Sequence, residues 1–514
     1  MMKFRNIAPA CGIALALALT ATACSKQAAN PPAAAKAQTI AWREGDVDDA
    51  LAEARESKKP VILYWGAKWC PPCNQMKSTL FKDATFIEET RNFVPVYLDG
   101  DSEGAQRWGE KFGISGYPTV IVLRPDGTEV TRLSSAATAP QFAEMLRVAA
   151  ARTTSTDELL ARAQKDAKGL SADDWHLLAN FDWRNDPRHF ADPVKTGALL
   201  DRLATAAPDA AIKRRFALLA LVVTADKGPD GKVSLSPERQ AQLVGILPAI
   251  LADTGEATAN RQELLSGAAD MIAGLPDARQ RDALGHKLVA ALDKVYANPA
   301  LALTDRLDTV YADVALGKSN GAVPPAVLAK VRERVAWVDK NAKDAMTRQS
   351  VMSDAAEILD EAGDRDGARK LLEGELKRSP SPYYYMLDLA DLEEEAGNAK
   401  AAIGWARKAY ETAHGPATRV QWAIAWSGAV LRLTPGDKKA VEESANAVID
   451  ELAKNPDSYY QRTRVKVTAW GGKLRDWSAK NDGGEILGRL QGKMAGVCAK
   501  EGDQAATCEK WSRA

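Results

Sequence analysis

Val61-Ile62-Leu63-Tyr64-Trp65-Gly66-Ala67-Lys68-Trp69-Cys70-Pro71-Pro72-Cys73 is the stretch whose reading organises the rest of this 514-residue chain. Its first five residues are uniformly apolar, β-branched or aromatic, the composition of a strand buried on both faces. The Cys-x-x-Cys follows at once and opens a helical stretch to Leu80. Two consecutive prolines fit the first turn of a helix, where the amides they lack would be unpaired anyway. The expected local unit is therefore a strand that hands over to a helix at Cys70.

Outward from that unit the pattern mixes helix and strand from about residue 40 to 152. Asp48 to Ser57 predicts an amphipathic helix. Phe93 to Leu98 and Thr119 to Leu123 predict strands, and Pro125-Asp126-Gly127 predicts a hairpin turn into Glu129 to Leu133. Pro140 to Val148 predicts a closing helix, with Thr138 or Ala139 at its cap. The expected order is β, α, β, α, β, β, α.

The cysteine spacing carries its own chemistry. Disulfide exchange needs a thiolate at neutral pH, where a free cysteine is mostly protonated. A helix N-terminus offers Cys70 partial positive charge and unpaired backbone donors. Two intervening residues bring Cys73 round the first turn to within disulfide reach. Attack by Cys70 would form a mixed disulfide that Cys73 resolves.

These residues resemble the thioredoxin superfamily. The resemblance rests on Tyr64-Trp65-Gly66-Ala67, Trp69-Cys70-x-x-Cys73, Gly116-Tyr117-Pro118-Thr119 and Pro125-Asp126-Gly127, about 110 residues in all. Met76 to Phe86, with Thr79, Phe81 and Asp83, is further similar to the C-terminal domain of periplasmic thiol:disulfide interchange reductases. The resemblance implies an α/β fold with a central mixed sheet flanked by helices. It implies catalytic Cys70 and Cys73, and a cis peptide bond before Pro118. Trp69, Tyr117 and Pro118 would shape a groove for protein thiols or disulfides, and a redox partner protein would complete the cycle. No cofactor is implied. Where many thioredoxins bury an acid, six residues before the first cysteine, this chain has Tyr64, and Lys68 stands where an acid is common. The domain has no histidine, so the strongly oxidising His-containing dipeptides are absent. Electron flow is left open, with reductase or isomerase favoured over oxidase.

After Thr153 strand signals vanish, and helical segments alternate with Pro, Gly or Asp stops through residues 153–514. Gly363-Asp364 recurs 34 residues later as Gly397-Asn398. Ala368, Leu372 and Leu376 answer Ala402, Ala406 and Tyr410 at the same offsets, and a weaker third copy starts at Gly436-Asp437. This all-α region resembles tetratricopeptide repeats over about residues 348–456, where small residues let paired helices approach closely. The resemblance implies a concave surface for a protein partner; a plain scaffold is the alternative. Trp422, Trp426 and Tyr383 to Tyr385 are read as packing residues of these repeats or as the lining of a groove.

Lys+Arg and Asp+Glu both number 68, so nothing marks the chain for nucleic acid. Residues 1–23, with Lys3, Arg5 and the apolar run Gly12 to Ala23, read as an export signal too short to span a bilayer. Ala21-Thr22-Ala23-Cys24 suits ordinary cleavage and also resembles a lipobox with Cys24 as lipid acceptor. Residues 24–39 would then tether the protein off the periplasmic side of a bacterial membrane. Cys11 leaves with the signal. Cys498 and Cys508 are expected as a structural disulfide, a second redox relay being the alternative. A zinc site at Cys70 and Cys73 would need two more ligands, and the four histidines are scattered through the helical region, so no metal is expected. Asp226 to Ser234 has the look of an incomplete calcium loop and is read as a turn. The alternative to a redox enzyme is a non-catalytic binding or scaffold lipoprotein on the same folds.

Overall fold

The computed structural model describes residues 39–513, apart from 45–46, 103, 134–136, 185, 187, 229–230 and 455–458. The export signal, Cys11, Cys24 and nearly all of the tether lie outside the described residues.

Five strands make one mixed sheet: β1 (Arg43–Glu44), β2 (Val61–Gly66), β3 (Val94–Asp99), β4 (Thr119–Leu123) and β5 (Glu129–Leu133), in the order β1-β3-β2-β4-β5. β3 runs parallel to β1 and β2, whereas β4 runs antiparallel to β2 and β5. Alternation sends Ile62 and Tyr64 to one face, with Phe86, Val120, Val122 and Phe142. It sends Val61, Leu63 and Trp65 to the other, with Leu51, Val96, Trp108 and Phe112. All six residues of β2 are buried, as expected for a central strand covered by helices on both sides. Fully burying each large apolar side chain contributes about 1.5–3 kcal/mol.

Five helices complete this layer: α1 (Val47–Ser57), α2 (Pro71–Ser78), α3 (Ala84–Thr90), α4 (Ala105–Phe112) and α5 (Ala139–Ala150). The expected strands and the helices α1, α2 and α5 are all present. Two elements, β1 and α3, go beyond the sequence reading, and α4 is the helix that the expected order placed between β3 and β4 without bounds. β1 has only two residues, too few for a periodic signal. α3 and α4 have seven and eight, little more than two turns. Local caps hold the short pieces: Asp83 accepts from the Phe86 amide at 2.9 Å, and the Thr138 amide donates to Gln141 at 2.9 Å.

The remaining chain is helical, with one small correction. Asp226–Lys227 and Val233–Ser234 pair as two short antiparallel strands where only a turn was expected. Eight later helices bear on the site and are labelled in order: α6 (Ala345–Glu361), α7 (Arg365–Glu375), α8 (Pro382–Glu395), α9 (Ala399–Thr412), α10 (Pro416–Leu433), α11 (Lys438–Ala453), α12 (Gln461–Lys480) and α13 (Gly484–Cys498). They pack in consecutive pairs, α6 with α7, α8 with α9 and α10 with α11. The 34-residue echo has a backbone cause. Gly363 and Gly397 both take positive φ, 94° and 76°, to turn the chain between the helices of a pair. Ala368, Ala402 and Ala406, all buried, allow the close approach. Cys498 and Cys508 form a disulfide with Cα atoms 5.3 Å apart, tying the end of α13 to the last turn of the chain.

The sheet domain and the helices pack together as one unit from Thr39 to the C-terminus. α6 lies against α2, and α12 against α4.

Candidate active site

Cys70 is the residue that caps α2. Its backbone is extended (φ −73°, ψ 113°), Pro71 and Pro72 occupy the first turn, and the Cys73 amide donates to Cys70 Sγ at 3.2 Å. Cys70 and Cys73 are joined as a disulfide, with Cα atoms 5.2 Å apart. The same helix start that satisfies Cys70 Sγ in this state would hold its thiolate after reduction, because amide and dipole both favour negative charge there. Asn74 steadies the approach by donating to the Lys68 carbonyl at 3.0 Å.

The Tyr117–Pro118 peptide bond is cis. The Tyr117 ring packs against the cluster that contains Trp69, Cys70 and Cys73, and its hydroxyl accepts from Gln106 at 3.0 Å. Beneath α2 the Tyr64 hydroxyl is buried without a hydrogen-bond partner, and burial raises its pKa far above the ordinary phenol value. Tyr64 stacks on Tyr97 of the neighbouring strand. Lys77 on α2 donates to the Tyr97 hydroxyl at 3.1 Å, which donates to Asp99 at 3.0 Å. Polar chemistry thus reaches the underside of α2 through β3 rather than through residue 64.

The outer side of the site is where sequence reasoning fell short. Cys70 is 2% exposed, Cys73 0% and Trp69 7%, because the helical region covers them. Trp69 stacks on Tyr384 of α8, ring centroids 6.0 Å apart, and meets Trp422 of α10 at 5.0 Å. Its indole N–H donates to Thr418 Oγ1 at 2.8 Å, and Thr418 Oγ1 in turn donates to Asp101. The Thr418 amide also donates to Asp101 at 2.7 Å. Gln349 of α6 donates to the Trp69 carbonyl at 3.4 Å. From α12, the Arg462 guanidinium sits over the Tyr117 ring at 4.8 Å and the Trp69 ring at 5.5 Å; burial pushes its pKa down. The aromatic residues of α8 and α10 thus divide: Trp426 packs on Tyr410 inside the repeats, whereas Tyr383, Tyr384 and Trp422 face the redox pair. Their helical spacing in the sequence was visible; which partner they met was not.

Beside α2 a cavity of about 330 Å³ is lined by Pro71, Pro72, Gln75, Asp308, Asp354 and Tyr384. Asp354 and Tyr384 also line a second cavity of about 500 Å³ along α6 and α8. Its acids keep the repeat register, Asp354 with Asp388, Glu357 with Asp391 and Asp360 with Glu394. Burial, then the charges of Glu357 and Asp388, pushes Asp354 up to about 7. Burial also pushes Asp388 up to about 7, Asp391 and Glu357 adding to the effect and the hydrogen bond from Ser353 opposing it. An unfolded carboxyl titrates near 3.9. The folded chain therefore binds more protons between about pH 4 and 7, and stability present in acid is lost as pH rises through 7. The expected loss from pH 5 to pH 8 is about 2–3 kcal/mol for each of the two carboxyls. Urea unfolding at the two pH values should show it shrinking in Asp354→Asn/Asp388→Asn, and an unchanged difference would contradict the assignment.

A strand that passes into a Cys-Pro-Pro-Cys helix, beside a cis-proline strand in a mixed sheet, defines a thioredoxin-like redox domain. Comparison agrees. Residues 47–150 match the family model described as thioredoxin-like domain. Thiol:disulfide interchange protein DsbD 1 of Pseudomonas aeruginosa is 34% identical over 110 residues, covering 21% of this chain and 19% of that protein. Thioredoxin H-type of Oryza sativa subsp. indica is 30% identical over 106 residues, covering 20% of this chain and 81% of that protein. A protein disulfide-isomerase of Schizosaccharomyces pombe is 28% identical over 82 residues, 16% of this chain and 22% of that protein. Through this segment the chain belongs to the thioredoxin-like family. The match spans about a fifth of the chain and a fifth of the Pseudomonas relative. Among the described residues no helix is long and apolar enough to cross a membrane, and no group of His, Cys, Asp and Glu is arranged to hold a metal ion.

Proposed function

We propose that the chain is an exported thiol:disulfide oxidoreductase that acts on protein disulfides through Cys70 and Cys73, with reduction or isomerisation as its direction. The observation that carries the reading is the disulfide set across the first turn of α2, on a domain whose relatives include a thiol:disulfide interchange protein and a protein disulfide-isomerase. In the reduced enzyme the Cys70 thiolate attacks one sulfur of a substrate disulfide. The Cys70–substrate S–S bond forms, the substrate S–S bond breaks, and the leaving thiolate takes a proton. The Cys73 thiolate then attacks Cys70 Sγ, releasing the second substrate sulfur as a thiol. The substrate gains two electrons and the enzyme is left as the Cys70–Cys73 disulfide, which a dithiol donor protein must reduce again.

Export follows from residues 1–23, and Cys24 is the lipid acceptor that would place the protein on the periplasmic face of a membrane. Residues 40–152 form the redox domain and 153–514 a helical domain, tetratricopeptide-like at about 348–456, that binds a protein partner. Burial of the redox pair favours a second reading, a scaffold on which the disulfide is only structural. Trapping separates them. Reduced Cys73→Ala protein should accumulate disulfide-linked adducts that disappear when Cys70→Ser is added. A trap left empty by unfolded disulfide-containing peptides as well as by folded proteins favours the scaffold.

A further inference from the structure

We infer that the helical domain is the specificity element of the redox site, a wall that keeps folded proteins from Cys70 while it is seated. This rests on the oxidoreductase reading and adds to it which partners can react.

Disulfide exchange is an in-line displacement, so the attacking sulfur, the attacked sulfur and the leaving sulfur must line up at Cys70. A protein substrate can reach that line only if the surface around Cys70 accepts a chain segment. Here that surface is taken. Tyr383, Tyr384 and Met386 of α8, Ala409 of α9 and Trp422 of α10 bury Trp69, Cys70 and Cys73 in one apolar cluster. Arg462 of α12 lies over Tyr117, the residue that precedes the cis proline. What occupies the substrate's place is thus part of the same chain.

At the edge of the apolar cluster the wall is seated by polar contacts. One hydroxyl, Thr418 Oγ1, does two jobs at once, accepting from Trp69 and donating to Asp101. Arg464 of α12 pairs with Glu110 of α4 at 2.7 Å, and Thr463 donates to Gln106 at 3.3 Å. A half-exposed ion pair such as Arg464–Glu110 contributes at most about 1 kcal/mol. Gly415, at the start of α10, is the tightest point. It has φ +90°, and a Cβ there would lie 2.3 Å from Asp101 Cγ. Absence of a side chain lets α10 close on the sheet domain, so a bulky residue at 415 is a wedge placed away from the sulfurs.

The test compares two reductants on full-length protein: dithiothreitol, a small dithiol, and reduced thioredoxin, a folded protein dithiol. Reduction of Cys70–Cys73 is followed by differential alkylation and peptide mass, which separates it from Cys498–Cys508. In either case one thiolate of the reductant attacks Cys70 Sγ and Cys73 leaves as a thiol; the reductant's second thiolate then attacks its own sulfur in the mixed disulfide, Cys70 leaves as a thiol, and the reductant ends as a disulfide. Wild type should be opened by dithiothreitol and only slowly by thioredoxin. Gly415→Leu should raise the thioredoxin rate at least tenfold and the dithiothreitol rate less than threefold. Glu110→Arg, which sets like charges against Arg464, should move the same way by a smaller factor. The exchanged pair Glu110→Arg/Arg464→Glu should return towards wild type, so the result does not depend on how Gly415→Leu folds. The inference is overturned if the folded variants leave the thioredoxin rate unchanged, or if both reductants speed up in equal proportion. A disulfide that neither reductant opens in any variant overturns the oxidoreductase reading itself.

Discussion

Replacing Cys70 by serine is expected to bring disulfide exchange down to background, below about one-thousandth of the wild-type rate. A serine hydroxyl stays protonated at the helix start where a thiol would ionise, and an alkoxide forms no stable bond to sulfur. The substitution removes one sulfur from a site where Cys70 caps α2 through its Sγ. Serine is itself a good helix cap, so the fold should survive and the loss should be chemical. Turbidimetric insulin reduction with a dithiol donor measures it. A Cys70→Ser protein that keeps more than a tenth of the wild-type rate would remove Cys70 from the role of nucleophile.

Trp422→Ala is expected to cost about 3–5 kcal/mol of unfolding free energy. Trp422 is 1% exposed, its indole N–H donates to the Tyr383 carbonyl at 3.0 Å, and its ring meets Tyr383 edge-on at 5.6 Å and Trp69 at 5.0 Å. Truncation leaves a cavity between the helical pairs and the redox helix, removes three aromatic pairs, with Trp69, Tyr383 and Tyr384, worth about 0.5–1.5 kcal/mol each, and removes the bond that the indole adds to a carbonyl inside α8. Urea unfolding followed by far-ultraviolet circular dichroism checks the stability. The Trp69 fluorescence should also change, because one wall of its pocket is gone. A loss under 1 kcal/mol would mean that Trp422 sits against a surface able to collapse onto the gap.

The redox half of the molecule was legible from the sequence because its signals are local. Five apolar residues before a double-proline helix start leave few alternatives to a buried strand feeding α2. Tyr117-Pro118 was readable as a partner through the resemblance, and its cis bond agrees. The 34-residue echo was legible for a similar reason, since its two clear copies share a glycine of positive φ, Gly363 and Gly397, at the same place. Less was visible where a residue's meaning depends on distant chain. Thr418 lies 349 residues after Trp69, and Asp101 looks like any loop carboxylate until Thr418 is set against it. Tyr384 and Trp422 show apolar spacing along a helix, which is the same whether the helix faces its neighbour or another domain.

By itself the sequence determined the local architecture and the line along which the chain folds: a cysteine pair at a helix start, a sheet that supports it, and a long series of paired helices. Those follow from backbone preferences and from periodicities that act over a few residues. Only the tertiary structure decided that the helices close over the sulfurs. The reason is physical. Burial of Cys70 comes from side chains hundreds of residues away, and the energy that brings them there is shared across an interface that no local pattern encodes.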